Sequence, residues 1–141
     1  MTHFTLNKKF LKKSCGDCYL YNEEWVTNGH FMIKKYMIKD VYKYLNPEQE
    51  NVPNFSRIMP EFSNNSTGYE KSNWLYQRET CLMREFKNKC GLGSVWIDED
   101  YCKHFNINFV ESYSNEPKTN PLVAYDKNLI LMPLKCPEDV K

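Results

Sequence analysis

The segment from Ser94 to Lys135 constrains this chain more than any other, because it reads as strand, helix, strand, strand, strand, and that order points to a fold. Val95-Trp96-Ile97 is a short apolar strand and Asp98 stands where a helix needs a capping carboxylate. Glu99 to Phe105 then makes a two-turn helix, with Tyr101, Cys102 and Phe105 at i, i+1 and i+4. Asn108 to Ser112 is extended again, and Asn115 to Asn120 is a polar loop carrying Pro117. Pro121 to Tyr125 and Leu129 to Leu134 form a closing hairpin around Asp126-Lys127-Asn128.

Upstream the pattern is looser. Thr2 to Leu6 reads as a short strand, and Asn7 caps a helix through Ser14 that turns Phe10 and Leu11 inward and Lys8, Lys9, Lys12 and Lys13 outward. Gly16-Asp17 ends it. Tyr19-Leu20-Tyr21 and Glu24 to Thr27 are extended, and Asn28-Gly29 before His30-Phe31-Met32-Ile33 predicts a hairpin through a type I′ turn, which needs positive φ at both central residues. Asp40 caps a second short helix, Val41 to Leu45, that Asn46-Pro47 closes. From 47 to 73, three prolines (47, 53, 60) and the tract Asn64-Asn65-Ser66-Thr67-Gly68 predict a long irregular connection anchored by Phe55, Ile58, Met59 and Phe62. Trp74-Leu75-Tyr76 and Cys81 to Phe86 are the next expected strands, before a turn through residues 87–93.

The run Val95 to Cys102, the strand and loop after it, Asn120-Pro121-Leu122-Val123, and the ending Leu129-Ile130-Leu131-Met132-Pro133-Leu134-Lys135 resemble the closing half-repeat of a bacterial DNA sliding clamp. Phe4-Thr5-Leu6-Asn7, the lysine-bearing helix and the hairpin behind it are similar to the opening half-repeat. The resemblance covers about 75 of the 141 residues, and Met132-Pro133 is its most distinctive motif. It implies an α+β fold: one sliding-clamp-like domain, 1–141, made of two strand-helix-strand-strand half-repeats near 1–46 and 94–135. The sheet would be mainly antiparallel, with 47–73 as the irregular middle. A processivity ring closes from several such domains, so one per chain implies either an oligomer or a fold reused for another task. In a clamp, Lys8, Lys9, Lys12 and Lys13 would track duplex DNA phosphates without reading sequence. Asp98-Glu99-Asp100 on the matching second helix would repel them.

Function beyond that is read from composition and spacing. At 41% hydrophobic and 15% aromatic, the chain can bury one ordinary core. It shows neither an apolar run long enough to span a bilayer nor an apolar leader in Met1 to Leu20, so the expectation is an intracellular protein in the cytoplasm of a bacterial host. In that setting the six cysteines are expected to be reduced thiols. Cys15-Gly16-Asp17-Cys18 has the spacing of half a zinc site, but Cys90, Cys102 and His104 offer no second tight pair, so no metal and no cofactor are expected. Three histidines without a nucleophile elbow, and Gly91-Leu92-Gly93 without a third glycine, argue against an enzyme.

Recognition is what remains. Up to Leu45 there are eight lysines against four acids, and Lys34, Lys35 and Lys39 with Lys43 surround Tyr36, Tyr42 and Tyr44 in an aromatic-basic patch. Such a patch can stack bases or meet an acidic protein face. Small size and Lys/Asn-rich usage suggest a phage or prophage product. Two functions follow: a replication accessory module that contacts protein or DNA, or a small inhibitor of a host defence nuclease, in the manner of anti-CRISPR proteins, that binds a host protein.

Overall fold

The computed structural model describes residues 4, 18–39, 45, 58–62, 65–78, 81–91 and 93–135. Within them the chain runs β1 (Tyr19–Tyr21), β2 (Trp25–Thr27), β3 (Phe31–Lys34), a 3-10 turn (Lys35–Met37), β4 (Thr67–Gln77) and β5 (Leu82–Lys87). It continues through β6 (Ser94–Asp98), α1 (Glu99–His104), β7 (Phe109–Ser112), β8 (Leu122–Ala124) and β9 (Leu129–Leu131). All nine strands join one antiparallel sheet in the order β1-β2-β3-β9-β8-β7-β4-β5-β6.

This is a mainly-β fold, and it overturns the α+β expectation of two clamp-like half-repeats. The reason lies in the middle of the chain. Thr67 to Asn73 belongs to β4, the longest strand, although it was expected to be irregular. Its first residues pair with β7 (Thr67 with Ser112, Tyr69 with Val110) and its remainder with β5. The segment expected to separate two repeats therefore welds them into a single sheet. Gly68 lets the exposed Phe109 ring of the neighbouring strand lie over β4, since a Cβ there would stand 2.6 Å from its Cζ and displace the ring.

The sheet also closes on itself. Beyond β9, the Leu134 amide donates to the Trp96 carbonyl of β6 at 2.8 Å, an antiparallel bridge between the far edge of the sheet and the chain leaving its middle. Strands β9, β8, β7, β4, β5 and β6 thus form a barrel-like ring, from which β3, β2 and β1 extend. Closure pairs edges that would otherwise be open.

Alternation along the strands sorts side chains to two faces. Val26, Phe31, Ile33, Tyr69, Phe86, Val95, Ile97, Val110, Leu122, Leu129 and Leu131 share the main core with Tyr101, Cys102 and Phe105 from α1 and its C-cap. Phe105 is the hub, with the rings of Phe4 and Phe31 both 5.3 Å away in edge-on or tilted contact. Each such pair adds about 1 kcal/mol beyond its buried area. The opposite face of β1–β3 and β9 packs Trp25, Met32 and Ile130 under Ile58 and Met59. Ile58 and Met59 are therefore anchors, as expected; Phe55 lies outside the described residues.

The closing third forms its elements where the sequence placed them. The Asp98 carboxylate accepts from the Asp100 amide at 2.9 Å, so the acidic cluster caps and charges the first turn of α1. Lys103 and His104 occupy its last turn. In the β8–β9 turn Tyr125, Asp126 and Lys127 all have positive φ (51°, 55° and 69°), an uncommon run for residues with a Cβ. The Tyr125 hydroxyl donates to the carbonyls of Phe105 and Asn106 and pins this turn to the end of α1.

The β2–β3 hairpin forms as expected, but through a different turn. Gly29 has φ 94° while Asn28 stays out of the left-handed region, so the turn is not type I′. The Asn28 side chain instead accepts from the amides of His30 (2.9 Å) and Phe31 (3.1 Å), replacing a backbone turn with a side-chain one. Of the expected first strand only Phe4 is described; it bridges Ile38 in parallel. The helices expected at Asn7–Ser14 and Val41–Leu45 lie outside the described residues, save for Leu45, which bridges Cys18.

Candidate interaction arm

Strands β4 and β5 form a hairpin, the arm, in which β4 runs past the end of β7 while β5 stays paired with β6 from Met83 to Lys87. β4 is held on the β7 side as far as Lys71, whose amide donates to the Asn108 carbonyl at 2.9 Å; from Leu75 to Gln77 its sole ladder partner among the described residues is β5. A bulge breaks the ladder between Lys71 and Leu75. The bulge is built, not frayed. The Ser72 hydroxyl donates to Glu85 at 3.1 Å and accepts from the Trp74 amide at 3.0 Å, and Arg84 Nη1 donates to the Ser72 carbonyl at 3.0 Å.

Arg84 fixes the base of the arm. Its other terminal nitrogen pairs with Glu99 in the first turn of α1, where the carboxylate is buried. One guanidinium thus ties the arm, the helix and the bulge together, with the planar fork suited to two acceptors at once. Cys102, one turn along α1, is buried beside this pair. Burial, aided by Glu99, pushes its thiol up to about 12, so it stays protonated and unreactive at neutral pH.

Beyond the base the arm is apolar and uncovered. Trp74 is 63% exposed, Leu75 40% and Tyr76 38%. Tyr76 leans edge-on against Trp96 at 6.4 Å, whereas no ring contact is found for Trp74 among the described residues. Three consecutive large apolar residues cannot all face inward on a strand, since neighbours point to opposite sides. That is the signal that could have marked this site in the sequence, where Trp74-Leu75-Tyr76 read as an ordinary strand.

The residues singled out from the sequence fare unevenly. Lys34 sits 4.4 Å above the ring of buried Trp25 and pairs with Glu24 at 3.2 Å, so its charge is already engaged. Lys35 and Tyr36 lie in the 3-10 turn, Tyr36 half exposed, and Lys39 is exposed beside them. Tyr42, Lys43 and Tyr44, and the helix residues Lys8, Lys9, Lys12 and Lys13, lie outside the described residues.

Among the described residues no group of three His, Cys, Asp or Glu side chains could hold a metal ion, and no helix is long and apolar enough to cross a membrane. Cys15 lies outside the described residues, and its intended partner Cys18 is buried. A groove of about 400 Å³ is lined by Met59, Pro60, Glu61, Tyr113, Asn115 and Asn120. No protein-family model, curated protein or solved structure matches this chain.

Proposed function

We propose that this chain is a non-enzymatic binding protein that engages a partner protein through the β4–β5 arm. The observation that carries the reading is the contiguous exposure of Trp74, Leu75 and Tyr76 on an anchored hairpin. A protein that only had to fold would bury or replace them, whereas rigid aromatic side chains near the centre of a contact supply most of the affinity in protein complexes. The buried Arg84–Glu99 pair supports it too, because it presents the arm in one orientation and lowers the cost of ordering it on binding. This favours the inhibitor-like of the two expectations, occupation of a host protein, over travel along a duplex.

The test uses a benzoylphenylalanine cross-linker at position 74, with position 118 on the polar loop as control. A single partner cross-linked from host lysate at 74 and not at 118 is the expected result. Trp74→Ala should then weaken the purified complex by about 2 kcal/mol, roughly thirtyfold in Kd. Equal cross-linking at both positions, or an unchanged Kd, overturns the reading.

A further inference from the structure

Residues 58–62 lie over the face of β1–β3 and β9 that is turned away from the main core. Ile58 and Met59 pack there on Trp25, Met32 and Ile130, with Tyr19, Tyr21 and Met132 half-buried beside them. Among the described residues no hydrogen bond ties 58–62 to the sheet, in contrast to every strand around them. Their hold on this face is therefore by side-chain contact, which can be released without breaking a ladder.

The fastening at the end of this segment is built from three side chains. The Phe62 ring, 40% exposed, stands edge-on to Tyr113 at 5.3 Å, and the Lys127 ammonium lies 5.2 Å from the centre of the Phe62 ring and 5.7 Å from that of Tyr113. Lys127 reaches them from the last of the three left-handed positions in the β8–β9 turn, and such conformations persist where the surroundings hold them. Both contacts are weak. An exposed cation–π contact shifts an equilibrium about two- to fivefold, and an aromatic pair does about the same.

There is also room along the segment. Met59, Pro60 and Glu61 line the groove of about 400 Å³ together with Tyr113, Asn115 and Asn120 of the β7–β8 connection, so this flank of 58–62 is not close-packed.

We propose that residues 58–62 are a strap that lifts while the sheet stays folded, with Phe62, Tyr113 and Lys127 as its latch. In the closed state the chain's own Ile58 and Met59 occupy the apolar face. In the open state Trp25, Met32 and Ile130 are uncovered. Opening of this kind is governed by the few contacts that are released, not by the stability of the whole domain. The strap is independent of the arm, and it gives the molecule a second apolar surface that the fold itself keeps closed.

Methionine oxidation reads the opening, because a buried thioether reacts when peroxide reaches it. Met32 and Met83 are both fully buried, but Met32 lies under the strap, whereas Met83 packs with Trp96 and Leu134 in a separate cluster. When the whole 141-residue chain is treated with dilute hydrogen peroxide and mapped by mass spectrometry, Met32 should oxidise at least about tenfold faster than Met83. Phe62→Ala should speed Met32 about tenfold further and Lys127→Gln about threefold, with the Met83 rate and the urea midpoint unchanged. Equal rates at Met32 and Met83 in the unaltered chain overturn the strap, since both then wait for global unfolding. A Met32 rate that neither variant changes overturns the latch. If both variants speed the two methionines together and lower the urea midpoint, residues 58–62 belong to the cooperative core and the proposal fails.

Discussion

The β8–β9 and β4–β5 hairpins belong to the same sheet, yet their surroundings differ completely. In β8 and β9 every residue is buried, both outer edges are paired, and the turn is forced through three left-handed residues to keep the hairpin short. In the arm β4 outruns β7, its outer edge over Leu75–Gln77 has no partner among the described residues, and large apolar side chains face outward. Hydrophobicity alone does not separate them. What separates them is whether neighbouring strands reach far enough to cover it, which makes one hairpin a structural clasp and leaves the other exposed.

Substitutions can break that contrast, and the largest effect belongs to the clasp. Leu131→Ala should lower unfolding free energy by about 4 kcal/mol in urea titration, whereas Leu75→Ala should lower it by less than about 1 kcal/mol. Comparable losses would mean the arm is core. Next comes the joint between the two regions. Glu99→Ala strands the Arg84 guanidinium and should cost about 3 kcal/mol, with faster amide exchange along the arm. Arg84→Met/Glu99→Leu should recover most of the stability without restoring the arm's protection. Retained protection in the double variant would show that the ion pair does not orient the arm.

A smaller effect concerns the thiol beside that joint. The folded Cys102 holds its proton where the unfolded chain has already lost it, so its stabilising effect is intact below about pH 9 and lost as pH climbs through 9 toward 12. Melting temperature should therefore fall on the alkaline side, and Cys102→Ala should flatten part of that fall; an identical pH profile would remove Cys102 as a cause. Exposed Cys90 should react with a thiol reagent in the native state while Cys102 waits for unfolding. Smallest of all, Asp126→Gly relieves one left-handed residue and should raise stability by up to about 1 kcal/mol, read as a shift in the urea midpoint. A decrease would mean that the turn is not strained.

The clasp was legible in the sequence because its signals are local. Asp98 precedes its helix, Pro121 leads its strand, and Asp126-Lys127-Asn128 interrupts two apolar runs. The arm's first half was illegible for the opposite reason. Thr67 and Gly68 look like loop residues until Ser112 and Glu111, more than forty positions away, supply the hydrogen bonds that make them a strand. The aromatic excess was read at Tyr36, Tyr42 and Tyr44 beside their lysines, whereas Trp74-Leu75-Tyr76 read as an ordinary strand. A clamp-like reading followed from the same locality: strand, helix and hairpin were correctly ordered, but order along the chain does not disclose which strands become neighbours.

The bridge between Leu134 and Trp96 carries a consequence for biosynthesis. While the ribosome is still adding the last strand, β3, β8 and β6 have each lost the neighbour that will cover them, and the nascent chain exposes three adhesive edges at once. The interval ends only when residues 129–134 emerge and slot into place. Slowing translation just before that point should divert newly made protein into inclusion bodies, whereas slowing it at the arm should leave yield unchanged.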